Sequence, residues 1–409
     1  MSVGKHIRDP IYGYVKVEAS DLNLVDSPLF QRLRYIRQNG LAYLVFPSAT
    51  HSRFEHSLGA HHVAKLMLEK LRKNGFVNDD QLNEISRLAL VHDIGHLPFS
   101  HTFEHSLKFL QYIDERMYRD FIGNQVNAKF HELIGVNVLR NCVGEEGLAK
   151  LMEEIYVKKE ASKQLVKAVI SSTLDADRLD YLQRDSYYFG VKYGEISLDR
   201  IIEVMEIDRN GNYVFRTKGR DDLEHLLMAR YHMYSAVYNH PVKGIFDTAL
   251  AYTLANMIED QTIPVEGVKD CEKFFNLTDD YVLSKLREKK DQDGIYKNFY
   301  DILLKRKKYK KFILEDTHAD TFASTMENKE EEEKLYNFII TLKGNLLVYI
   351  ADVDMPIDKV KLSIGNGEIN LSNTNASKYV NVPSLRRRII IGYTKDDYFN
   401  DFEKKFLKK

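Results

Sequence analysis

A chain of 409 residues with 44% hydrophobic residues is long enough for one large core and a smaller appended unit. Its 59 Lys+Arg against 60 Asp+Glu give a formal charge of -1, which removes any overall electrostatic reason to expect a nucleic-acid or membrane-surface binder. Two cysteines, Cys142 and Cys271, offer neither a disulfide framework nor zinc-knuckle spacing, and no apolar run reaches membrane-span length, so a soluble cytoplasmic protein of a reducing compartment is expected.

In chain order, Arg8 to Val17 opens with a turn signal and ends in alternating apolar and polar residues, which predicts a short hairpin or an extended segment. Ser27-Pro28 starts a helix with Phe30, Leu33 and Ile36 at helical spacing. After Pro47, a helix is expected from about Phe54 to Leu71, burying Leu58, Val63, Leu66, Met67 and Leu71, with His56 in its first turn. Ile85, Leu88, Ala89 and Val91 then form a helical apolar face that delivers the adjacent pair His92-Asp93, where Gly95 and Pro98 break the helix. Helices are expected over Thr102 to Met117, Glu132 to Leu139, Leu148 to Glu154, and as one long element over Gln164 to Tyr188. On the last, Asp177, Tyr181 and Arg184 share a face flanked by Arg178 and Asp185; a charge-rich surface helix and a cleft wall are both open readings.

Gly211 to Lys218 reads as a strand and Asp222 to Val237 as a helix whose Tyr231, Tyr234 and Tyr238 suit packing or cleft lining. The chain loosens around Pro264 and Gly267, which places a boundary near 258/259. The Lys-rich Leu304 to Phe312 and the acidic Glu327 to Lys334 suggest solvated helix faces or loops. Leu346 to Ala351, Val360 to Ile364 and Arg388 to Ile391 alternate as strands of one small sheet, closed by a helix from Asp396.

His92-Asp93 alone is more often a packed His with its carboxylate partner than a metal site. With His56 and Asp177 the chain offers two imidazoles and two carboxylates from three helices, a set that leaves open positions on an octahedral ion, and Arg53, His96, His101, His131 and Arg178 supply the cations and imidazoles expected around a polyphosphate. The spaced pattern His56, His92-Asp93 and Asp177 resembles the HD superfamily of metal-dependent phosphohydrolases. The motifs Asp9-Pro10-Ile11-Tyr12-Gly13, Phe30-Gln31-Arg32-Leu33-Arg34-Tyr35-Ile36, Phe46-Pro47, Arg53-Phe54-Glu55-His56-Ser57-Leu58-Gly59 and His92-Asp93-Ile94-Gly95-His96-Leu97-Pro98-Phe99-Ser100-His101 extend the likeness to its deoxynucleoside triphosphate triphosphohydrolases, over roughly residues 4 to 245. Within that group the likeness is to the SAM-and-HD-domain enzymes, here without the SAM domain.

The resemblance implies a mainly α fold, with a helical HD core over 1–258 and a smaller α+β region over 259–409 serving regulation or oligomerisation. It implies that His56, His92, Asp93 and Asp177 hold a divalent ion (Mn, Mg, Fe or Zn), and that His96 and His131 handle protons while His101 contacts the α-phosphate. Glu104 stands where the family has a catalytic Asp. Arg53, Arg178 and Tyr181 are implied as triphosphate contacts, Arg178 replacing a lysine. Gln38 and Asp185 would hold the sugar 3′-hydroxyl, and Tyr238 would crowd the 2′ position. Asn39 replaces an apolar residue near the sugar and Tyr234 a His, which leaves the substrate preference open. Lys5, Asp26, Gln31 and Arg34 match a guanine-nucleotide regulatory site between subunits, and Arg216 with Lys218 a second one. The implied activity is hydrolysis of dNTPs to deoxynucleoside and triphosphate by a homo-oligomer, dimer or tetramer, activated by GTP or dGTP, with no need of nucleic acid. The same residues also fit an HD phosphohydrolase of another nucleotide (a monophosphate, a cyclic dinucleotide or a ribonucleotide) or a nucleotide sensor without catalysis.

Overall fold

The computed structural model describes residues 4–123, 129–208, 212–292, 294–352, 360–364, 367–373 and 387–408. The N-terminal hairpin forms as expected: β1 (Lys5–Asp9) pairs antiparallel with β2 (Gly13–Val17). Asp9 closes its turn by accepting from the backbone N–H of Ile11 at 2.8 Å and of Tyr12 at 3.0 Å.

α1 (Arg53–Lys73) begins where the Glu55 carboxylate accepts from the Ser52 N–H at 2.9 Å, satisfying a donor the first turn leaves open. Leu58, Val63, Met67 and Leu71 are buried as the spacing predicts. α2 (Asp79–Val91) starts with a reciprocal pair, Gln81 N–H to Asn78 Oδ1 and Asn78 N–H to Gln81 Oε1, and packs along α1. It stops at Val91, ahead of Gly95 and Pro98, so His92 and Asp93 sit on a turn rather than inside a helix. α3 (His101–Ile113) also ends early, because Asp114 accepts from the Met117 N–H at 2.9 Å and caps a separate helix, Glu115–Ile122. α4 (Phe130–Val138) follows.

The single helix expected over Gln164 to Tyr188 is two. Gln164–Ile170 ends at a run of Ser171, Ser172 and Thr173, and α5 (Ala176–Phe189) restarts behind Asp175, whose carboxylate accepts from the Arg178 N–H at 2.9 Å. Asp177 therefore lies in a first turn. α6 (Pro241–Glu259) is almost wholly buried and lies along α3.

The strands that follow divide differently from the one small sheet expected. β3 (Met205–Ile207) and β4 (Tyr213–Arg216) are joined by β7 (Lys361–Ile364) and β8 (Gly367–Asn370) in the order β3-β4-β7-β8, with β4 and β7 parallel. β5 (Lys310–Leu314), β6 (Leu346–Asp352) and β9 (Arg387–Tyr393) form the order β5-β9-β6. The Lys-rich stretch is thus partly an edge strand, with Lys310, Lys311 and Phe312 exposed and Ile313 and Leu314 half-buried; lysine is a common edge residue because its charge discourages further strand pairing. Gly211 of the predicted strand lies outside the described residues. Across the boundary expected near 258, Leu277 O accepts from the buried Arg32 Nε at 3.1 Å, and Asp279 accepts from the Phe99 N–H at 2.7 Å, so the later chain props the loop after His92-Asp93.

Cys142 and Cys271 are joined in a disulfide across 129 positions, a pairing their spacing does not announce because packing alone brings their Cα atoms to 5.6 Å. Among the described residues no helix is long and apolar enough to cross a membrane.

Candidate functional site

The turn after α2 meets α1 and α5 at one point. His56 Nε2 lies 3.0 Å from Asp177 Oδ1 and 3.6 Å from Asp93 Oδ2; His92 Nε2 lies 3.3 Å from Asp93 Oδ1 and 3.7 Å from Asp177 Oδ1. Each imidazole is turned by its other nitrogen. His56 Nδ1 is 2.7 Å from Asp180 Oδ2, and His92 Nδ1 is 2.8 Å from the Ala89 carbonyl. With Nδ1–H so engaged, both Nε2 lone pairs aim at the two carboxylates, and both Nε2 atoms are buried without a hydrogen-bond partner. The ligand atoms of His56, His92 and Asp177 lie within the span of one ion, and those of Asp93, beside them, group with His96 and His131; two orphaned ring nitrogens with these carboxylates fit a divalent metal. Burial opposes a charge on His56, yet the hydrogen bonds to Asp177 and Asp180 outweigh it and push its pKa up to about 10.

Two glycines make this convergence possible. A Cβ on Gly59 would stand 1.9 Å from Asp180 Oδ1 and 2.2 Å from Arg184 Nη2, so only glycine lets α5 approach α1 closely enough for Asp180 to reach His56. A Cβ on Gly95 would stand 2.2 Å from the His131 carbonyl. That close approach of the turn to α4 stacks His96 on His131, ring centres 3.9 Å apart.

Beside the metal set, His96 Nε2 lies 3.2 Å from Asp93 Oδ1. Glu104 joins the next two histidines: Oε2 is 2.8 Å from His101 Nδ1 and Oε1 is 2.6 Å from His131 Nδ1. The longer side chain in place of an Asp therefore spans both imidazoles. Burial raises the Glu104 pKa, but the hydrogen bonds to His101 and His131 outweigh it and hold the carboxylate ionised. Burial, and then Arg53 and His131, drive the His96 pKa well below its ordinary value, so that ring is neutral. Arg53 donates through Nε to Ser100 Oγ at 2.7 Å and through Nη1 to Asp93. Arg178 donates to Asp175 and remains 30% exposed at the cleft.

These residues line a cavity of about 120 Å³. It shares Gln38, Arg53, His101 and Tyr181 with a second cavity of about 320 Å³, which reaches Asn39, Asp185, Tyr234 and Tyr238. Asp185 is the best-held group there: Tyr238 OH donates to Oδ2 at 2.6 Å, and Asn39 Nδ2 at 2.8 Å and His51 Nε2 at 2.6 Å meet Oδ1. Gln38 Oε1 is buried and unpartnered. Tyr181 and Tyr234 touch through their hydroxyls at 3.3 Å.

The structure thus brings His56, His92, Asp93, Asp177, His96, His101, His131, Glu104, Arg53, Arg178, Gln38, Tyr181, Asp185 and Tyr238 into two joined cavities and their walls. Arg184 does not share the cleft with Asp177 and Tyr181; it is buried against Asp180 at 2.9 Å and Asp9 at 2.8 Å. Sequence reasoning missed Asp180 and His51. Asp180 was legible as an acid three residues after Asp177, but His51 lies 134 positions from the Asp185 it holds.

The residues expected to bind effectors lie on the surface. Lys5 Nζ meets Asp26 Oδ2 at 3.2 Å, and Arg34 Nε donates to Gln31 Oε1 at 2.8 Å. Gln31 Nε2 donates to the carbonyl of Val25, next to Asp26, which links the two pairs. Arg34 also lies 3.5 Å over the Phe54 ring, one residue from Arg53. Arg216 and Lys218 instead converge on Glu203, at 2.7 and 3.9 Å.

Residues 53–185 match the HD domain family and residues 196–344 match the HD associated region. An uncharacterized protein of Methanocaldococcus jannaschii is 34% identical over 72% of this chain and 59% of its own length. Deoxynucleoside triphosphate triphosphohydrolase SAMHD1 of Homo sapiens is 26% identical over 90% of this chain and 64% of its own. A crystal structure of a hypothetical protein from Aquifex aeolicus superposes with a TM-score of 0.74 at 27% identity, covering 97% of this chain and 98% of that one. The chain spans about three-fifths of the length of the curated relatives it matches.

Proposed function

The chain belongs to the HD domain phosphohydrolases, and from that premise we propose that it hydrolyses dNTPs to deoxynucleoside and inorganic triphosphate. The observation that carries this reading is the joining of two cavities: a small one with the metal-ligand set, arginines and histidines, and a larger one walled by tyrosines and Asp185, of a size for a nucleoside. The relative named as a dNTP triphosphohydrolase supports the same substrate class.

His56, His92, Asp93 and Asp177 would hold the ion, which supplies Lewis-acid polarisation of a phosphoryl oxygen. Arg53 and Arg178 bind and orient the triphosphate, their guanidiniums matching phosphate oxygens. Water attacks the α-phosphorus, the P–O5′ bond breaks, and the departing 5′-oxygen takes a proton. His131, its Nδ1 fixed on Glu104, is placed to deliver that proton from Nε2, as an imidazole oriented by a carboxylate does in hydrolases generally. Gln38 Oε1 and Asp185 face the sugar side.

Incubating metal-loaded protein with each dNTP and separating products by ion exchange tests the reading. A deoxynucleoside with intact triphosphate is expected; release of dNMP with pyrophosphate, or no turnover, would exclude it.

In this reading the Tyr238 ring, in the wall of the larger cavity, occupies the space of a 2′-hydroxyl. Tyr238→Ala is therefore expected to raise the ratio of NTP to dNTP kcat/KM by about tenfold or more. A ratio unchanged from wild type would move sugar selection to Gln38 or Asn39.

The surface cluster of Lys5, Asp26, Gln31 and Arg34 offers an ammonium, a carboxylate, an amide and a guanidinium to a guanine nucleotide shared between subunits. A ligand bound only by the assembly favours it by mass action. GTP or dGTP is expected to raise both the light-scattering mass, toward dimer or tetramer, and turnover, and Arg34→Ala to blunt both. One mass and one rate with and without GTP would leave these residues a structural role only.

A further inference from the structure

The larger cavity is lined by a charged pair that neither the metal set nor the phosphate contacts need. Lys243 and Asp247, four residues apart on α6, meet at 2.6 Å with side chains 12% and 7% exposed, and both line this cavity. Stability does not explain them. α6 is otherwise mostly apolar and buried, a Lys preceding its acid is the weaker order on a helix, and a buried ion pair is commonly no more stabilising than apolar residues of equal size. Neither residue is among those that line the metal cavity, and the Thr102 hydroxyl is 3.4 Å from Asp247 Oδ1. Gly40 keeps the approach open: it holds φ +52°, and a Cβ there would stand 3.2 Å from Thr102 Oγ1 and 3.8 Å from Asp247 Oδ1.

The two charges cancel, so this part of the wall suits a neutral polar edge and not a phosphate. The ammonium has three N–H donors and spends one on Asp247; the carboxylate retains free lone pairs. We propose that Lys243 and Asp247 read the Watson–Crick edge of the nucleobase and favour guanine. Asp247 accepts from guanine N1–H and N2–H while Lys243 Nζ donates to O6, three contacts in all. Adenine presents one amino donor beside an unprotonated N1, so it fills fewer of them, and hypoxanthine lacks N2–H. This rests on the reading above that the larger cavity takes the nucleoside.

The test is kcat/KM of the metal-loaded protein for dGTP, dITP, dATP, dCTP and dTTP. Wild type is expected to favour dGTP over dATP by about ten- to a hundredfold, the range for hydrogen bonds to charged groups, with dITP between. The double variant Lys243→Met with Asp247→Leu buries no lone charge and should bring the dGTP/dATP ratio to within about twofold. Equal wild-type rates, or a ratio the double variant leaves intact, overturns the proposal. If circular dichroism shows that the double variant has not folded, Lys243→Gln is judged by the same ratio. If no dNTP is hydrolysed, the proposed activity fails by itself, and calorimetric titration with deoxyguanosine and deoxyadenosine decides the base reading: tighter deoxyguanosine binding lost in the variant supports it, and equal or absent binding overturns it.

Discussion

Asp177→Ala, or His92→Ala with Asp93→Ala, is expected to strip the protein of bound divalent metal and abolish phosphohydrolysis while the helical fold survives. The four candidate ligands come from α1, the turn after α2, and α5, and each of these elements is held by contacts that would not pass through an ion. His56 keeps Asp180, Arg53 keeps Ser100, and the turn is propped by Asp279 at the Phe99 N–H. Loss of a partner behind a ligand costs roughly 10–100-fold in metal affinity, so removing a ligand itself should cost more than about a hundredfold. Elemental analysis of the purified variants, circular dichroism and dNTP turnover measure the three quantities. Variants that retain one metal per chain and wild-type turnover would show that the ion, or the chemistry, is elsewhere.

Gly59→Ala is expected to destabilise the protein by about 3 kcal/mol. The added carbon would meet Asp180 and Arg184 at 1.9 and 2.2 Å, and neither can retreat: Arg184 is fully buried between Asp180 and Asp9, and Asp180 also accepts from Tyr12 OH at 2.8 Å. Either α5 moves off α1 or the ion pair breaks, leaving a buried charge unpaired. Because Asp180 sets the orientation of His56, metal affinity should fall with stability. The denaturant midpoint and the metal dissociation constant report the two effects, and a variant with both unchanged would mean that the helices adjust without loss.

The candidate ligands and cations that the structure gathers at one cleft were legible from type and spacing, because imidazole, carboxylate and guanidinium suit a metal ion and phosphates whatever fold presents them. The helix boundaries were less so. Apolar periodicity runs through Asp114 and Asp175, and only hydrogen bonds from those carboxylates to Met117 N–H and Arg178 N–H end one helix and begin the next. The strands near the C-terminus showed their alternation but not their partners, since β7 pairs with β4 nearly 150 positions away and pairing between distant strands leaves no local trace. For the same reason Cys142 and Cys271 gave no sign of their bond. By itself, then, the sequence determined an α-rich chain with an HD-type ligand set and its ring of cations. Only the tertiary structure decided that Asp180 orients His56, that Glu104 bridges His101 and His131, that His51 and Tyr238 hold Asp185, and that Lys243 and Asp247 pair in the wall of the larger cavity. Apart from the helical neighbours Lys243–Asp247 and His101–Glu104, these contacts join residues from separate elements, and their distances follow from how closely helices pack, which glycines at 59 and 95 permit and no local pattern encodes.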